Sequence, residues 1–304
     1  MWGGSSLAAP TDEGSRVTSW LADDAVTLMA VVNVNADSFS DPRAGTDPTE
    51  RLAAARAAIA AGADLVDLGA QSAALDAAVV PADQQAAALA PLVAALHDDG
   101  IPVSVDTYEP EVARRVLGAG ADVLNDFSGR SDPDVVAATA EAGAWYVLTH
   151  NPVGPRARQT DPDFYADVVD DVLAFFDREV ARLVAAGVRP DRLLLDPGVD
   201  VGKTPRQTLD LLRGRDRVRA AVDQPLLWAI SRKDVLGALT GRPPAERDAA
   251  TLGLLAGLAH HGRTVARVHA VEPARDLLEV LAALEGRRDL ADELLDDALR
   301  RQSG

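Results

Sequence analysis

Seven short apolar runs in this 304-residue chain end in residues that can do chemistry. They close on Asn33-Val34-Asn35-Ala36-Asp37, Asp106-Thr107, Asn125-Asp126, His150-Asn151, Asp196-Pro197-Gly198, Ser231-Arg232-Lys233 and Arg267-Val268-His269. Asp106, Asp196 and Asn125 offer two carboxylate acceptors and an amide, a set suited to a flat heterocycle with adjacent N–H donors and a carbonyl. Lys233 adds a cationic donor for a ring oxygen or nitrogen. Arg267 and His269 leave one strand end toward the same side, as recognition of a phosphate needs. Asn33 could take a hard cation such as Mg2+, which prefers oxygen ligands and usually keeps several waters and a phosphate. Asp and Asn at such positions also cap helices. Capping accounts for any one of these ends, but less easily for seven that bring carboxylate, amide, Lys, Arg and His to one mouth. Neither a Ser/His/Asp spacing nor a His-Glu-x-x-His motif occurs, so a hydrolytic nucleophile or a zinc site is not indicated.

The runs that carry these residues are Thr27–Val34, Ala63–Ala70, Pro102–Thr107, Asp122–Ser128, Trp145–His150, Leu193–Gly198, Leu226–Ser231 and Val265–Ala270. Segments of helical period lie between them, among them Thr49–Ala61, Pro110–Ala119, Tyr165–Ala186 and Ala245–His260. Eight strands alternating with helices predict an α/β fold, a (β/α)8 TIM barrel whose site lies at the carboxyl ends of the strands. An open doubly wound sheet is the rival, and no strand is followed by the Gly-x-Gly-x-x-Gly turn that would favour it. The expected organisation is an extension over residues 1–24, one barrel domain over 25–285 closed by a helix at Pro273–Leu284, and a helical tail over 286–304 that includes an acidic amphipathic segment, Asp289–Arg301.

Composition narrows the functional classes. With 47 acidic against 30 basic residues the net charge is −17, which repels nucleic acid and anionic lipid. Cysteine is absent, so disulfides and thiolate chemistry are excluded. The opening residues carry neither the basic start nor the apolar run of a secretory signal, and Val26–Val34 is about half the length of a membrane span. A cytoplasmic location is expected, with small-molecule partners and neither nucleic acid nor membrane. Only two basic residues are lysines, Lys203 and Lys233. In a chain that otherwise writes arginine, those positions favour a compact, rotatable donor over a planar fork.

The motifs, taken together, resemble the dihydropteroate synthase family. Val32 to Asp41 (Val-Asn-Val-Asn-Ala-Asp-Ser-Phe-Ser-Asp) is similar to its first signature. Ser104-Val105-Asp106-Thr107, Asn125-Asp126-Phe127-Ser128-Gly129, Asp196-Pro197-Gly198 with Gly202-Lys203, Ser231-Arg232-Lys233 and Arg267-Val268-His269 follow in order, spanning Leu28 to Leu284. The resemblance implies a barrel enzyme that joins a hydroxymethyl-dihydropterin pyrophosphate to p-aminobenzoate, an arylamine acceptor, in folate synthesis. It implies that Asp106, Asn125, Asp196 and Lys233 hold the pterin. Asn33, Arg267 and His269 would hold the pyrophosphate, with Mg2+ at Asn33. Asp106, Lys233 and Arg267 would carry the chemistry, and the chain would form a homodimer through its late helices.

The departures from the family pattern cluster. Gln71-Ser72-Ala73-Ala74-Leu75-Asp76 stands where Glu-Ser-Thr-Arg-Pro-Gly is usual, so Ala73 and Ala74 replace the Thr and Arg that close over the reacting groups. Asn35-Ala36 replaces Thr-Pro, and Val201 replaces a Phe of the acceptor pocket. Asp234 stands where a Ser receives the acceptor's carboxylate. Two facing carboxylates would cost about 1–4 kcal/mol in a partly dry pocket. Capping of the next helix, or pairing with Arg232, would remove that cost. All these changes fall on the second substrate's side. Two alternatives follow: a pterin-binding paralogue with another acceptor or no turnover, and a pterin-dependent methyltransferase domain. The Asp-Ser-Phe-Ser-Asp loop and the Arg-Val-His end speak against methyl transfer, which needs no pyrophosphate site.

Overall fold

The computed structural model describes residues 20–34, 47–71, 78–260, 262–290 and 299. Eight parallel strands close into a barrel in chain order: β1 Val26–Asn33, β2 Leu65–Gly69, β3 Val103–Asp106, β4 Val123–Asp126, β5 Trp145–Thr149, β6 Leu193–Asp196, β7 Leu226–Ala229 and β8 Thr264–Val268, which pairs back to β1. Ten α-helices are seen among the described residues. They are α1 Pro48–Ala60, α2 Ala82–Asp98, α3 Pro110–Gly118, α4 Pro133–Ala142, α5 Val168–Ala185, α6 Pro205–Arg213, α7 Arg215–Ala221, α8 Asp234–Thr240, α9 Asp248–Leu258 and α10 Val271–Leu284. The expected (β/α)8 architecture is what the chain adopts. All strands but β1 are shorter than their apolar runs, and Asp106, Asn125, Asp126 and Asp196 still lie within the ladder at its carboxyl end.

The helix starts follow from local chemistry. Asp47 accepts from the Thr49 amide (2.8 Å) and Pro48 occupies the first turn of α1. Asp132 and Pro133 repeat the arrangement at α4, and Thr204 and Gln207 form a reciprocal capping box at α6. The period from Tyr165 starts a helix early: Asp167 caps α5 by accepting from the Val169 and Asp170 amides.

Pleating decides what fills the barrel. Successive strand residues face opposite sides, so Met29, Leu65, Val123, Trp145, Val147, Leu194, Leu227 and Val265 pack into an inner cluster, separate from the core between strands and helices. Trp20 joins this cluster edge-on to Trp145, with 5.3 Å between ring centroids. Packing on the barrel thus begins inside the segment read from sequence as an extension. The expected tail helix lies outside the described residues apart from residues 289, 290 and 299. One seam of the barrel is narrow: β6 and β7 register at Leu195 opposite Leu226, whereas β7 and β8 register at four positions.

Candidate active site

Two residues above the inner apolar layer the same faces turn polar. Asp67 follows Leu65, Asn125 follows Val123, Asp196 follows Leu194 and Arg267 follows Val265, each at a spacing of two. Asp67, fully buried, organises this layer. It accepts from Ser104 Oγ (2.6 Å), from Asn125 Nδ2 (3.2 and 3.3 Å to its two oxygens) and from Arg267 Nε (2.6 Å). Arg267 also reaches Asp106 through Nη2 at 3.3 Å. One charged chain therefore crosses the barrel from β2 to β8 to β3.

Asp106 is pushed up to about 7 by burial, with Arg267 pulling most strongly against the rise, Asp67 and Asp126 adding to it and Lys233 opposing it. Burial also raises Asp196, whose Oδ1 accepts from the Gly198 amide at 2.8 Å. Lys233 is lowered by burial, with Asp200 and Asp196 opposing the shift. The backbone of Arg232 sits at φ 59° in the left-handed region, an arrangement that needs external support in a non-glycine residue. That support comes from a two-point pairing of Arg232 with Asp248 (2.8 and 3.0 Å) and from Arg247, which donates to the carbonyls of Arg232 and Lys233.

His269 lies beside Ser231. The serine oxygen accepts from the His269 amide (3.2 Å) and its hydroxyl faces Nδ1 at 2.8 Å. Burial and then the charges of Arg267 and Arg232 hold this imidazole down to about 3, so it is a neutral donor at pH 7. The Asn33 carbonyl accepts from the guanidinium of Arg51, a residue of α1 with 2% exposure.

The structure thus joins Asp106, Asn125 and Arg267 in one network through Asp67, while Asp196, Lys233 and His269 share the same mouth. Sequence reading missed Asp67 and Tyr146, whose hydroxyl donates to Asp126 at 2.6 Å, and named Ser104 and Asp126 only as parts of motifs, without a role. A usable signal did exist for Asp67: an acid two residues after Leu65 within an apolar run must face the barrel interior.

On the acceptor side, Ala73 and Ala74 lie outside the described residues, as do Asn35 and Ala36. Val201 is half-buried on the loop after β6. Asp234 neither caps α8 nor pairs with Arg232. The start of α8 is capped instead by Asp200, whose Oδ2 accepts from the Val235 amide at 3.1 Å. Asp234 is flanked by Arg247 at 3.3 Å and Arg158 at 3.7 Å. Its negative charge therefore faces two cations, and the repulsion expected from the sequence is offset.

Residues 29–269 match the pterin binding enzyme family. A dihydropteroate synthase type-2 from Escherichia coli is 39% identical over 260 residues, covering 85% of this chain and 96% of that protein. The chain belongs to the dihydropteroate synthase family. A Mycobacterium leprae dihydropteroate synthase is 37% identical over 265 residues, 85% of this chain and 93% of its own length. Among solved structures, a Yersinia pestis dihydropteroate synthase with a sulfonamide drug complex superposes with a TM-score of 0.81 at 29% identity, covering 88% of this chain and 97% of that one. A Xanthomonas albilineans dihydropteroate synthase with 4-aminobenzoic acid superposes at 0.78 with 33% identity, covering 88% and 99%. The charged chain through Asp67 ties β2, which carries none of the strand-end motifs, to β3, β4 and β8, which do.

Proposed function

We propose that the protein is a dihydropteroate synthase, joining 6-hydroxymethyl-7,8-dihydropterin pyrophosphate to p-aminobenzoate with release of pyrophosphate. The observation that carries this reading is the layer formed by Asp106, Asn125 and Arg267 around buried Asp67, with Asp196 and Lys233 at the same mouth. Solved family members bound to 4-aminobenzoic acid and to 7,8-dihydropteroate support the substrate pair. Asp106 and Asp196 would accept N–H donors of the pterin, with Asn125 and Lys233 on its remaining polar edge. In the reaction the methylene C–O bond breaks and the electron pair leaves with pyrophosphate. The arylamine lone pair then forms the C–N bond, and its surplus proton is lost to solvent or to the departing anion. The carboxylates stabilise the cation that develops on the pterin, while Arg267 and His269 face the leaving group.

Mg2+ fits as part of this reading. Among the described residues no cluster of three His, Cys, Asp or Glu could hold a metal, so a caged ion is not implied. An ion held by the Asn33 side-chain oxygen, waters and the substrate's pyrophosphate agrees with how Mg2+ is usually bound, and it would neutralise charge on the leaving group. A homodimer belongs to the same proposal. An apolar cleft of about 370 Å3 between α6, α8 and α9 includes Leu212, Leu236, Leu254 and the exposed Leu239. Among the described residues no helix is long and apolar enough to cross a membrane, which agrees with a cytoplasmic location.

The test is pyrophosphate release from the pterin substrate with Mg2+, with and without p-aminobenzoate. Release that depends on p-aminobenzoate is the expected result. Slow release indifferent to it would point to a different acceptor, and no release to a binding paralogue.

A further inference from the structure

Lys203 is a cation at 5% exposure, and the reaction just described does not use it. Its ammonium group meets the carbonyls of Gly198 and Val201 at 3.0 Å each and Nδ1 of His150 at 2.8 Å, with the His150 carbonyl farther off at 3.4 Å. Three close acceptors match the three donors of a lysine ammonium. Since Nδ1 accepts, the His150 proton sits on Nε2, which donates to Asp171 of α5 at 2.8 Å. A chain of polar contacts therefore runs from the loop after β6, through the end of β5, to a half-exposed carboxylate on α5. The loop has little slack elsewhere. Tyr165 donates to the Gly202 carbonyl at 2.7 Å, and Gly198, at φ 76°, packs so closely that an added Cβ would lie 2.3 Å from the His150 carbonyl.

We propose that Lys203 is a positioning residue which stitches the loop after β6 to β5, with His150 and Asp171 as its anchors, and thereby holds Val201 and Gly202 on the acceptor side of the site. The inference rests on the proposed function for what that side binds. It also explains why lysine stands here in an arginine-rich chain: three acceptors converge on one nitrogen, and a guanidinium spreads its donors over three nitrogens of a larger planar fork.

The stitch is sensitive to protonation. Burial lowers Lys203 to about 7, opposed by Asp196, Asp171 and Asp200 and reinforced by Lys233. His150 is lowered to about 2 by burial and by the cations Lys203 and Arg178, so it stays neutral and accepting. A neutral Lys203 has two donors, and one of its three contacts fails. Switching the tautomer of His150 would restore that contact only by turning the Nε2 lone pair onto the Asp171 carboxylate.

The experiment measures KM for p-aminobenzoate, KM for the pterin substrate and kcat from pH 6 to 8.5 in wild type, Lys203→Met and Asp171→Asn. In parallel, 15N NMR of histidine-labelled full-length protein reads the tautomer of His150. Wild type should show acceptor KM rising about tenfold across this range, the equivalent of one hydrogen bond to a charged group, with little change in kcat. Asp171→Asn, altered at a half-exposed side chain, should start the rise at lower pH because a charge favouring the ammonium is gone. Lys203→Met should have a high acceptor KM without that pH dependence, and His150 should be an Nε2–H tautomer at pH 6. An acceptor KM flat with pH and unmoved by Asp171→Asn overturns the proposal, as does an Nδ1–H tautomer at pH 6. Wild type lacking acceptor-dependent turnover would defeat the functional reading alone, and the tautomer would still decide the stitch. If Lys203→Met does not fold, the Asp171→Asn profile decides it.

Discussion

Arg267 on β8 donates to Asp67 on β2 at 2.6 Å, joining residues 200 positions apart inside the barrel. Asp67 is fully buried and Arg267 is 20% exposed at its side chain, so neither charge is well solvated without the other. Removing one partner of a buried pair costs about 3–5 kcal/mol, because the remaining charge loses its counterion. Asp67→Asn should therefore destabilise the protein by about 3 kcal/mol in urea unfolding and loosen Arg267 from Asp106, weakening pterin binding. A variant as stable as wild type would remove Asp67 from the centre of the network.

The raised Asp106 predicts a proton effect on binding. At pH 6, below its value of about 7, this carboxyl is mostly protonated, and it must ionise to accept the N–H donors of a pterin. Pterin binding should release close to one proton at pH 6 and almost none at pH 8.5, and affinity should rise with pH across that interval. Calorimetry in two buffers of different ionisation enthalpy measures the release. Binding heats that do not depend on the buffer would refute the assignment.

Lys233 stands opposite Asp196 and Asp200, on a turn that Arg232, Arg247 and Asp248 hold in place. Lys233→Ala should reduce pterin affinity about a hundredfold or more, from the loss of a charge-assisted hydrogen bond in a desolvated site. The fold should be retained, since the pairing that supports the turn belongs to its neighbours. Unchanged affinity would take Lys233 out of the site.

Asp234→Ser tests the acceptor end. Sequence alone predicts improved use of p-aminobenzoate once the facing carboxylate is removed. With Arg247 and Arg158 beside Asp234 the gain should be small, within about threefold for an exposed pair. In an Arg158→Ala background, where one compensating cation is missing, the same substitution should gain more. Equal gains in the two backgrounds would show that Arg158 does not neutralise Asp234.

His150 gives a stability prediction with a definite sign. Its folded value of about 2 lies far below the usual histidine value, so between these limits the unfolded chain binds a proton that the folded chain refuses. Its contribution to stability is present above pH 6.5 and falls by about 1.4 kcal/mol per pH unit below that. The destabilisation caused by His150→Asn should therefore shrink by about 2 kcal/mol between pH 7.5 and pH 5. A constant difference between the two proteins over that range would mean that His150 takes up a proton in the folded state.

The fold was legible because its signals repeat. Apolar runs alternate with helical segments, and residues such as Asp47, Pro48, Thr204 and Gln207 mark helix starts by local chemistry. Strand-end residues were legible too, because polar groups break an apolar pattern where the mouth begins. Asp67 was hidden for the opposite reason: it sits within a run, and its partners Ser104, Asn125 and Arg267 come from three other strands that only closure of the barrel brings together. The same holds for Lys203 and His150. Sequence marked Lys203 by its rarity, whereas its three acceptors depend on the loop's backbone path. At Asp234 the sequence revealed the carboxylate but not the two arginines, which arrive from separate segments.

The narrow register between β6 and β7 separates Asp196 from Lys233, two of the groups proposed to grip the pterin. A barrel opens first where its ladder has fewest rungs, so amide exchange should be fastest along this seam. A pterin held from both edges would span the gap as an extra rung. The substrate then becomes part of the hoop that closes the barrel, and occupancy should slow exchange in β6 and β7 more than in β2 and β3.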